Sequence, residues 1–279
     1  MAFTARPDVP VLAEGPAALI DRLRQKLRAV EAATGLGVEC AGAVALGIPP
    51  IDAALGGGLM TGALHEIAAA RETEIAAASG FALALAVCSR WEACARGISQ
   101  DAGTGAAVVW IAEDLSLAEN GVPYGPGLDE AGIAPERLLT VTAARAREVL
   151  WAMEEALRCR AVGVVIGEIR ARGVDVVATR RLSLAAAAGN TLALLLRTAP
   201  DEEPSAAATR WIVGAAPSSP SPHGVGPPRL AARLVRNRRG HLGAWSVEWN
   251  SVEQRFSLAT HPEPLARPAP DRPHPAAAA

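Results

Sequence analysis

The sequence predicts an α/β fold, with a mostly parallel β-sheet flanked by helices, and two observations support it. Four short apolar runs have the length and aliphatic composition of buried strands: 63–68, 106–112, 162–166 and 191–196. Stretches with helical spacing separate these runs: 79–95, a helix capped by Thr142 with Leu157 on its apolar face, and 174–188. Strands that alternate with helices form βαβ units, and ligands of such sheets bind at the carboxyl ends of the strands.

The first predicted element is an amphipathic helix that opens at Pro16 and ends before Gly37. Its apolar stripe contains three leucines, Leu19, Leu23 and Leu27. Residues 1–37 are therefore expected to form an N-terminal helix with a loose lead. The stripe packs either on its own domain or on a partner or neighbouring subunit, which would make the chain a homo-oligomer.

Residues 38–200 are expected to form the core, in which the glycine turn 56–58 precedes the first strand. A phosphate-binding loop would follow that strand, and it needs glycines, a lysine for the phosphates and a hydroxyl for magnesium. Those positions hold Ala69 and Glu74 for the glycines, Ile75 for the lysine and Ala76 for the hydroxyl. The only lysine of the chain, Lys26, lies upstream. The sequence therefore predicts a core that binds no nucleotide cofactor and is not an enzyme.

The chain changes character after residue 200. Residues 201–228 are expected to form an acidic and then Pro/Ser-rich loop with one strand at 210–214. Residues 229–257 predict a basic β-hairpin that completes the sheet, with strands at 230–235 and 244–249. The Pro/Ala-rich tail 258–279 is expected to be disordered, because it cannot bury enough apolar surface to order itself.

The predicted hairpin carries concentrated positive charge. No acidic residue occurs between Glu203 and Glu248, while Trp245 and Trp249 alternate along the last strand. The candidate binding residues are Arg229, Arg233, Arg236, Arg238, Arg239 and Trp245. Arginine beside tryptophan suits a protein interface or a weak contact with single-stranded DNA. A solvated hairpin with its tryptophans in the core is the third interpretation.

The composition bears on nucleic-acid, membrane and metal binding and on the location of the protein. A net charge of −2 gives no general case for nucleic acid or membrane binding. The four cysteines form no CxxC pair and the histidines no zinc motif, so we expect buried, reduced thiols, no metal site and a cytoplasmic location. The longest apolar run, 75–87, is too short to span a bilayer.

From residue 47 to residue 249 the chain resembles the RecA superfamily. The run 110–113, ending in Glu113, is similar to the second strand with the glutamate that polarises the attacking water in active members. The run 164–168 ends in Glu168, where the resemblance implies a magnesium-supporting acid. Thr198 stands for the nucleotide-sensing glutamine. Glu113 and Glu168 are therefore either a residual magnesium and water-activating pair or remnants that hydrogen-bond loop backbone.

Within that superfamily, three features are most similar to the ImuA family. They are the string 55–67 with its Gly-Ala-Leu-His-Glu-Ile ending, the missing phosphate loop, and the closing stretch 236–249. This resemblance implies an accessory protein of SOS-induced mutagenesis and translesion DNA synthesis, without catalytic activity. The implied partners are an ImuB-like Y-family polymerase homologue and RecA, and indirectly an error-prone replicative-type polymerase.

Two other functions stay open. An ATP-dependent repair ATPase of the RecA type would need Arg71 in place of the lysine, and ATP turnover abolished by Glu113→Gln would identify it. A cell-division inhibitor of the SulA kind would make cells filament when it is overexpressed.

Overall fold

A computed structural model describes residues 42–95, 107–170, 174–218 and 226–259, all within one compact unit, Ala41–Ala279. The predicted helix at 16–37 and the tail from 260 lie outside the described residues. In chain order the elements are β1 (Ala43–Val44), α1 (Pro49–Leu55), β2 (Leu59–Met60), β3 (Leu64–Ala69), α2 (Ile75–Ala95), β4 (Ala107–Glu113), α3 (Asp114–Asn120), α4 (Gly125–Ala131), β5 (Leu138–Ala143), α5 (Ala146–Leu157), β6 (Val162–Ile169), α6 (Val176–Gly189), β7 (Leu192–Arg197), β8 (Thr209–Ala216), β9 (Arg229–Asn237), β10 (Gly243–Asn250) and β11 (Arg255–Leu258).

Nine of these strands form one mixed sheet in the order β11-β10-β9-β8-β3-β7-β6-β4-β5. The six strands from β8 to β5 are parallel to one another. The strands β9, β10 and β11 add to β8 in antiparallel fashion. This confirms the predicted α/β class, the mostly parallel sheet and the C-terminal hairpin that extends it. The numerical boundaries of the five predicted segments stay a prediction.

The entry to the sheet is a tight connection built by a short helix and three glycines. Pro49 occupies the first turn of α1, and the Asp52 carboxylate accepts hydrogen bonds from the backbone N–H groups of Leu46 and Gly47. The glycines 56–58 all have positive φ. A Cβ at Gly58 would lie 2.5 Å from a backbone oxygen of the preceding strand. The predicted glycine turn is confirmed.

Each face of the sheet has its own apolar core. On one face α2 packs against the parallel strands and β11, and Phe81 lies 5.4 Å from Trp211 of β8 and 5.5 Å from Phe256 of β11 between ring centroids. On the other face α5 and α6 cover the parallel strands through buried residues such as Met153 and Leu182. The parallel strands are therefore buried on both sides, as continuous apolar runs predict.

One helix in the described part of the chain, α2, is long and apolar enough to cross a membrane. It has 21 residues, so the expectation that the run is too short was wrong about length. The helix begins at Ile75 instead of residue 79. Its side chains Phe81 and Leu85 are fully buried against the face of the sheet, which is the position of a core helix.

Two strands of the nine-stranded sheet were not predicted, β5 and β11. Thr142 lies inside β5 and caps nothing; α5 begins at Ala146, after a residue whose side chain makes no cap. The strand β5 alternates apolar residues with threonines at the edge of the sheet, so it has no continuous apolar run. The strand β11 has only four residues and pairs with β10 alone.

Candidate functional site

A short turn between β3 and α2 occupies the position where a phosphate-binding loop would lie. Ala69 ends the strand, a 3-10 turn spans Glu72–Glu74, and Ile75 opens the helix. The backbone N–H of Ala70 donates to the Val213 carbonyl oxygen at 2.8 Å. The structure thus brings the predicted positions together in the strand–turn–helix arrangement that phosphate loops use.

The chemistry of the turn opposes phosphate binding. The Ile75 side chain is 7% exposed and belongs to the core beneath α2, whereas Ala76 is exposed. Glu74 lies against β8: a Cβ on Gly214 would meet its Oε2 at 3.2 Å. With Arg71 as the only cation, the turn carries two carboxylates and one guanidinium, so its net charge repels an anion.

The two predicted remnant acids lie at the ends of neighbouring strands, β4 and β6. Glu113 Oε2 accepts a hydrogen bond from the Arg170 backbone N–H at 3.2 Å, and Glu168 Oε1 accepts one from Asn120 Nδ2 at 3.3 Å. Burial raises the pKa of Glu168, the side chains around it oppose this in part, and the Glu113 charge raises it further. Both carboxylates are thus held by groups of the chain itself. Across the described residues, no group of three or more His, Cys, Asp and Glu could hold a metal ion.

His65 ties β3 to β8 on the α2 face. Its ring Nε2 lies 2.8 Å from the Met60 carbonyl oxygen, which can only accept, so Nε2 carries the proton. The Nδ1 atom therefore accepts from the Thr209 hydroxyl at 2.7 Å, and that hydroxyl accepts from Trp211 Nε1 at 3.0 Å. Burial lowers the pKa of His65 to about 4. The histidine is a neutral member of a satisfied buried network.

Glu66 makes the corresponding connection on the opposite face. Its Oε2 accepts from Arg210 Nε at 2.6 Å, and its Oε1 accepts a short hydrogen bond from the Ser205 hydroxyl. The same guanidinium donates to the carbonyl oxygens of Asp201 at 2.7 Å and Glu203 at 2.9 Å. The acidic segment between β7 and β8 is therefore held across the sheet by a buried ion pair. Nothing in the sequence around Glu66 indicated this partner, which lies 144 residues away.

The arginines of the hairpin divide into engaged and free groups. Arg229 pairs with Glu248 at 3.0 Å, and Arg238 Nη2 donates to the Ser205 carbonyl oxygen at 3.3 Å. Arg233 is exposed and Arg236 half-buried, on the face that α5 and α6 leave uncovered beside small residues of β9 and β10. Burial and the charges of Arg238 and Arg210 lower the pKa of Arg236. We call this surface of Arg233, Arg236, Ala231, Ala244 and Ser246 the arginine face.

The tryptophans lie on the other side of the same strands. Trp249 is 8% exposed and stacks edge-on against Phe256, and Trp245 lies 6.1 Å from Trp211 between ring centroids. Trp245 and Arg233 therefore do not form the predicted surface of interleaved arginine and tryptophan. Both tryptophans pack on the α2 side of the sheet, as the interpretation with the tryptophans in the core expects, and a binding role for the hairpin arginines stays a prediction. Of the two cysteines whose side chains the structure describes, Cys88 is buried as predicted, whereas Cys159 is exposed, contrary to the prediction.

A groove of about 620 Å³ lies between the N-terminal halves of α5 and α6. Its lining includes Trp151 and Val177, which are 62% and 63% exposed, and no residue of the 70–76 turn. Sequence reasoning missed Trp151, although its place between the apolar positions of α5 pointed to an outward side chain.

Comparison with known proteins places the chain beside Protein ImuA of two bacterial strains. No family model matches the sequence. The chain is 32% identical over 219 residues to Protein ImuA of Caulobacter vibrioides strain NA1000 / CB15N, which covers 74% of this chain and 82% of that protein. Protein ImuA of strain ATCC 19089 / CIP 103742 / CB 15 gives the same values. Among solved structures, the crystal structure of the RadB recombinase matches with a TM-score of 0.48 and 13% identity, over 77% of this chain and 99% of that chain.

Proposed function

The chain belongs to the ImuA family, and from that membership we propose that it is a non-catalytic accessory protein of SOS-induced mutagenesis and translesion DNA synthesis. It acts in the cytoplasm through contacts with an ImuB-like polymerase homologue, with RecA, or with both. Its connection to the error-prone replicative-type polymerase is indirect, through those partners. No nucleotide or metal cofactor takes part.

The turn between β3 and α2 is the observation that carries the non-catalytic part of the proposal. A nucleotide site there needs a cation directed at the phosphates, but Ile75 is directed into the core. Restoring lysine at that position would bury a charge instead of presenting it. The carboxylate of Glu74 beside the turn adds repulsion.

Nucleotide binding by the purified chain tests this part directly. A fluorescent ATP analogue with magnesium, titrated to millimolar concentration, should give no saturable signal, with an active RecA protein as the positive control. Saturable binding that unlabelled ATP displaces would overturn the non-catalytic assignment. ATP turnover that is lost in Glu113→Gln would favour the ATPase interpretation over the non-catalytic one.

Protein contacts are the second part of the proposal. The leucine stripe of the N-terminal segment, Leu19, Leu23 and Leu27, supplies an apolar surface for a partner. The arginine face supplies a charged one, because Arg233 and Arg236 are accessible without any aromatic neighbour on that face. Single-stranded DNA is the weaker candidate for it, since bases need aromatic side chains for stacking.

Co-purification with an ImuB-like protein and with RecA tests these contacts. Replacing Leu19, Leu23 and Leu27 by alanine should reduce binding of the partner at least about tenfold, as loss of apolar anchors does at interfaces. Arg22→Ala with Arg28→Ala, on the predicted polar side of the same helix, is the matched control. Unchanged capture of both partners by the leucine variant and by an arginine-face variant would contradict the proposed contacts.

A further inference from the structure

The segment from α3 to α4 presents large apolar side chains to solvent. Leu115 is 55%, Val122 64% and Tyr124 73% exposed, and all three fall within one short stretch of chain. Single exposed apolar residues are ordinary, but three on one segment mark an interaction surface. We call the exposed side of residues 114–136 the α3–α4 surface.

Acidic side chains accompany these apolar residues. Between residues 113 and 137 the chain has six acids and one arginine. Asp129, Glu130 and Glu136 are exposed, and no hydrogen bond or ion pair engages their carboxylates within the described part of the chain. An apolar centre with a charged periphery is the usual anatomy of a protein interface.

The arginine face has the opposite charge. The chain between residues 204 and 247 has no acid, and in the described ranges neither the Arg233 nor the Arg236 side chain has a hydrogen bond or ion pair. Leu242, in the turn between β9 and β10, is 60% exposed and gives this side an apolar contact of its own. A net charge of −2 for the whole chain conceals this separation of acid and base.

We propose that the protein associates with itself head to tail, the α3–α4 surface of one copy docking on the arginine face of the next. The two surfaces lie on different elements, so the contact is heterologous, and a head-to-tail dimer keeps one free surface on each copy, the arginine face of one and the α3–α4 surface of the other. Opposite charge on two accessible surfaces of the same chain makes a second copy the occupant that fits both. The inference rests on the proposed function only in treating the arginine face as a protein-binding surface.

Mass measured by size-exclusion chromatography with light scattering tests self-association on the chain alone. The mass should exceed the 28.7 kDa of one copy increasingly with concentration at low salt, and return to it in about 1 M NaCl, where charges are screened within about 3 Å. A mass of 28.7 kDa at every concentration would overturn the inference.

A charge-exchange experiment identifies the surfaces. The base variant is Arg233→Glu with Arg236→Gln, the second change being neutral because Glu66 lies near. The acid variant is Asp129→Lys with Glu130→Lys. Each alone should stay monomeric, and an equimolar mixture should associate, because it restores one acidic and one basic surface; association would also show that both variants are folded.

A matched control makes a similar charge change on α5 and α6, Arg147→Glu with Arg180→Gln, and should associate like the unchanged chain. Association of either single variant to the unchanged extent, or equal loss in the control, would overturn the assignment. Oligothymidylate binding by a monomeric chain, lost in the base variant, would assign the arginine face to DNA instead. None of these outcomes depends on an ImuB-like protein, so failure of the partner contacts is distinguishable.

Discussion

Two adjacent residues, His65 and Glu66, connect the same two strands through opposite faces of the sheet. Because side chains alternate along a strand, His65 reaches Thr209 on the α2 face while Glu66 reaches Arg210 on the other. The His-Glu pair, which the sequence offered as a family motif, is therefore explained as two buried polar ties between β3 and β8. A catalytic role is not needed to account for it.

The first prediction concerns the pH dependence that His65 imposes. Its pKa in the folded chain is about 4, against 6.5 when exposed. The unfolded state therefore binds more protons between these values, so stability is complete above pH 6.5 and falls as pH drops towards 4. The loss should reach about 3 kcal/mol, at about 1.4 kcal/mol for each pH unit.

Urea unfolding between pH 8 and pH 4 measures this loss. A variant with the exposed His241→Gln is the control and should keep the same dependence as the unchanged chain. His65→Gln should lower stability at pH 8 and remove the His65 part of the slope, so its difference from the unchanged chain should shrink as pH falls towards 4. An unaltered slope in His65→Gln would show that the histidine is not held neutral.

The second prediction concerns the buried pair of Glu66 and Arg210. Their side chains are 2% and 13% exposed, so removing one partner leaves the charge of the other buried without compensation. Glu66→Gln should lower the unfolding free energy by about 3 kcal/mol. The exposed pair of Arg158 and Glu155 is the control, because breaking it by Glu155→Gln should cost less than about 1 kcal/mol. Equal losses in the two variants would contradict the structural importance of the buried tie.

Among the helices and strands, the sequence predicted those whose positions follow from the local pattern of apolar residues. Four of the parallel strands were placed to within three residues at either end, because their apolar runs are continuous. The edge strand β5 was not predicted, because it pairs with one strand only and has no continuous apolar run. Thr142 within this strand was mistaken for a helix cap. The helices α3 and α4 have seven residues each, too few for a periodic pattern.

The third prediction belongs to the turn between β3 and α2. Ile75→Lys should not create a nucleotide site, because position 75 points into the core and the lysine would have to bury its charge. We expect a loss of about 3 kcal/mol in unfolding free energy and no binding of an ATP analogue. Ala76→Lys, one position along and exposed, should change stability by no more than about 0.5 kcal/mol. Gain of nucleotide binding by the first variant would mean that the turn is an intact site lacking only its cation.

For the whole molecule, the limits of sequence reasoning are set by pairing across the sheet. The hairpin arginines and tryptophans were recognised, but their relative faces depend on register, and a register shift between β8 and β9 occurs beside Arg210. The tie from Glu66 to Arg210 depends on a contact between residues far apart in the chain. The acidic and basic surfaces likewise arise from segments that only the fold places in space.

The last prediction is that residues 41–279 fold without the segment before them. Within the described residues, both apolar cores are built between Val44 and Phe256, and the nine-stranded sheet runs from Leu64 to Leu258. A chain that begins at residue 41 should therefore keep its far-ultraviolet circular dichroism per residue and unfold in one cooperative thermal transition. The same truncation removes Leu19, Leu23 and Leu27, so it should lose binding of the ImuB-like partner while still associating with itself. Loss of cooperative unfolding would show that the core needs the N-terminal segment, and retained partner binding would move that contact to the described unit.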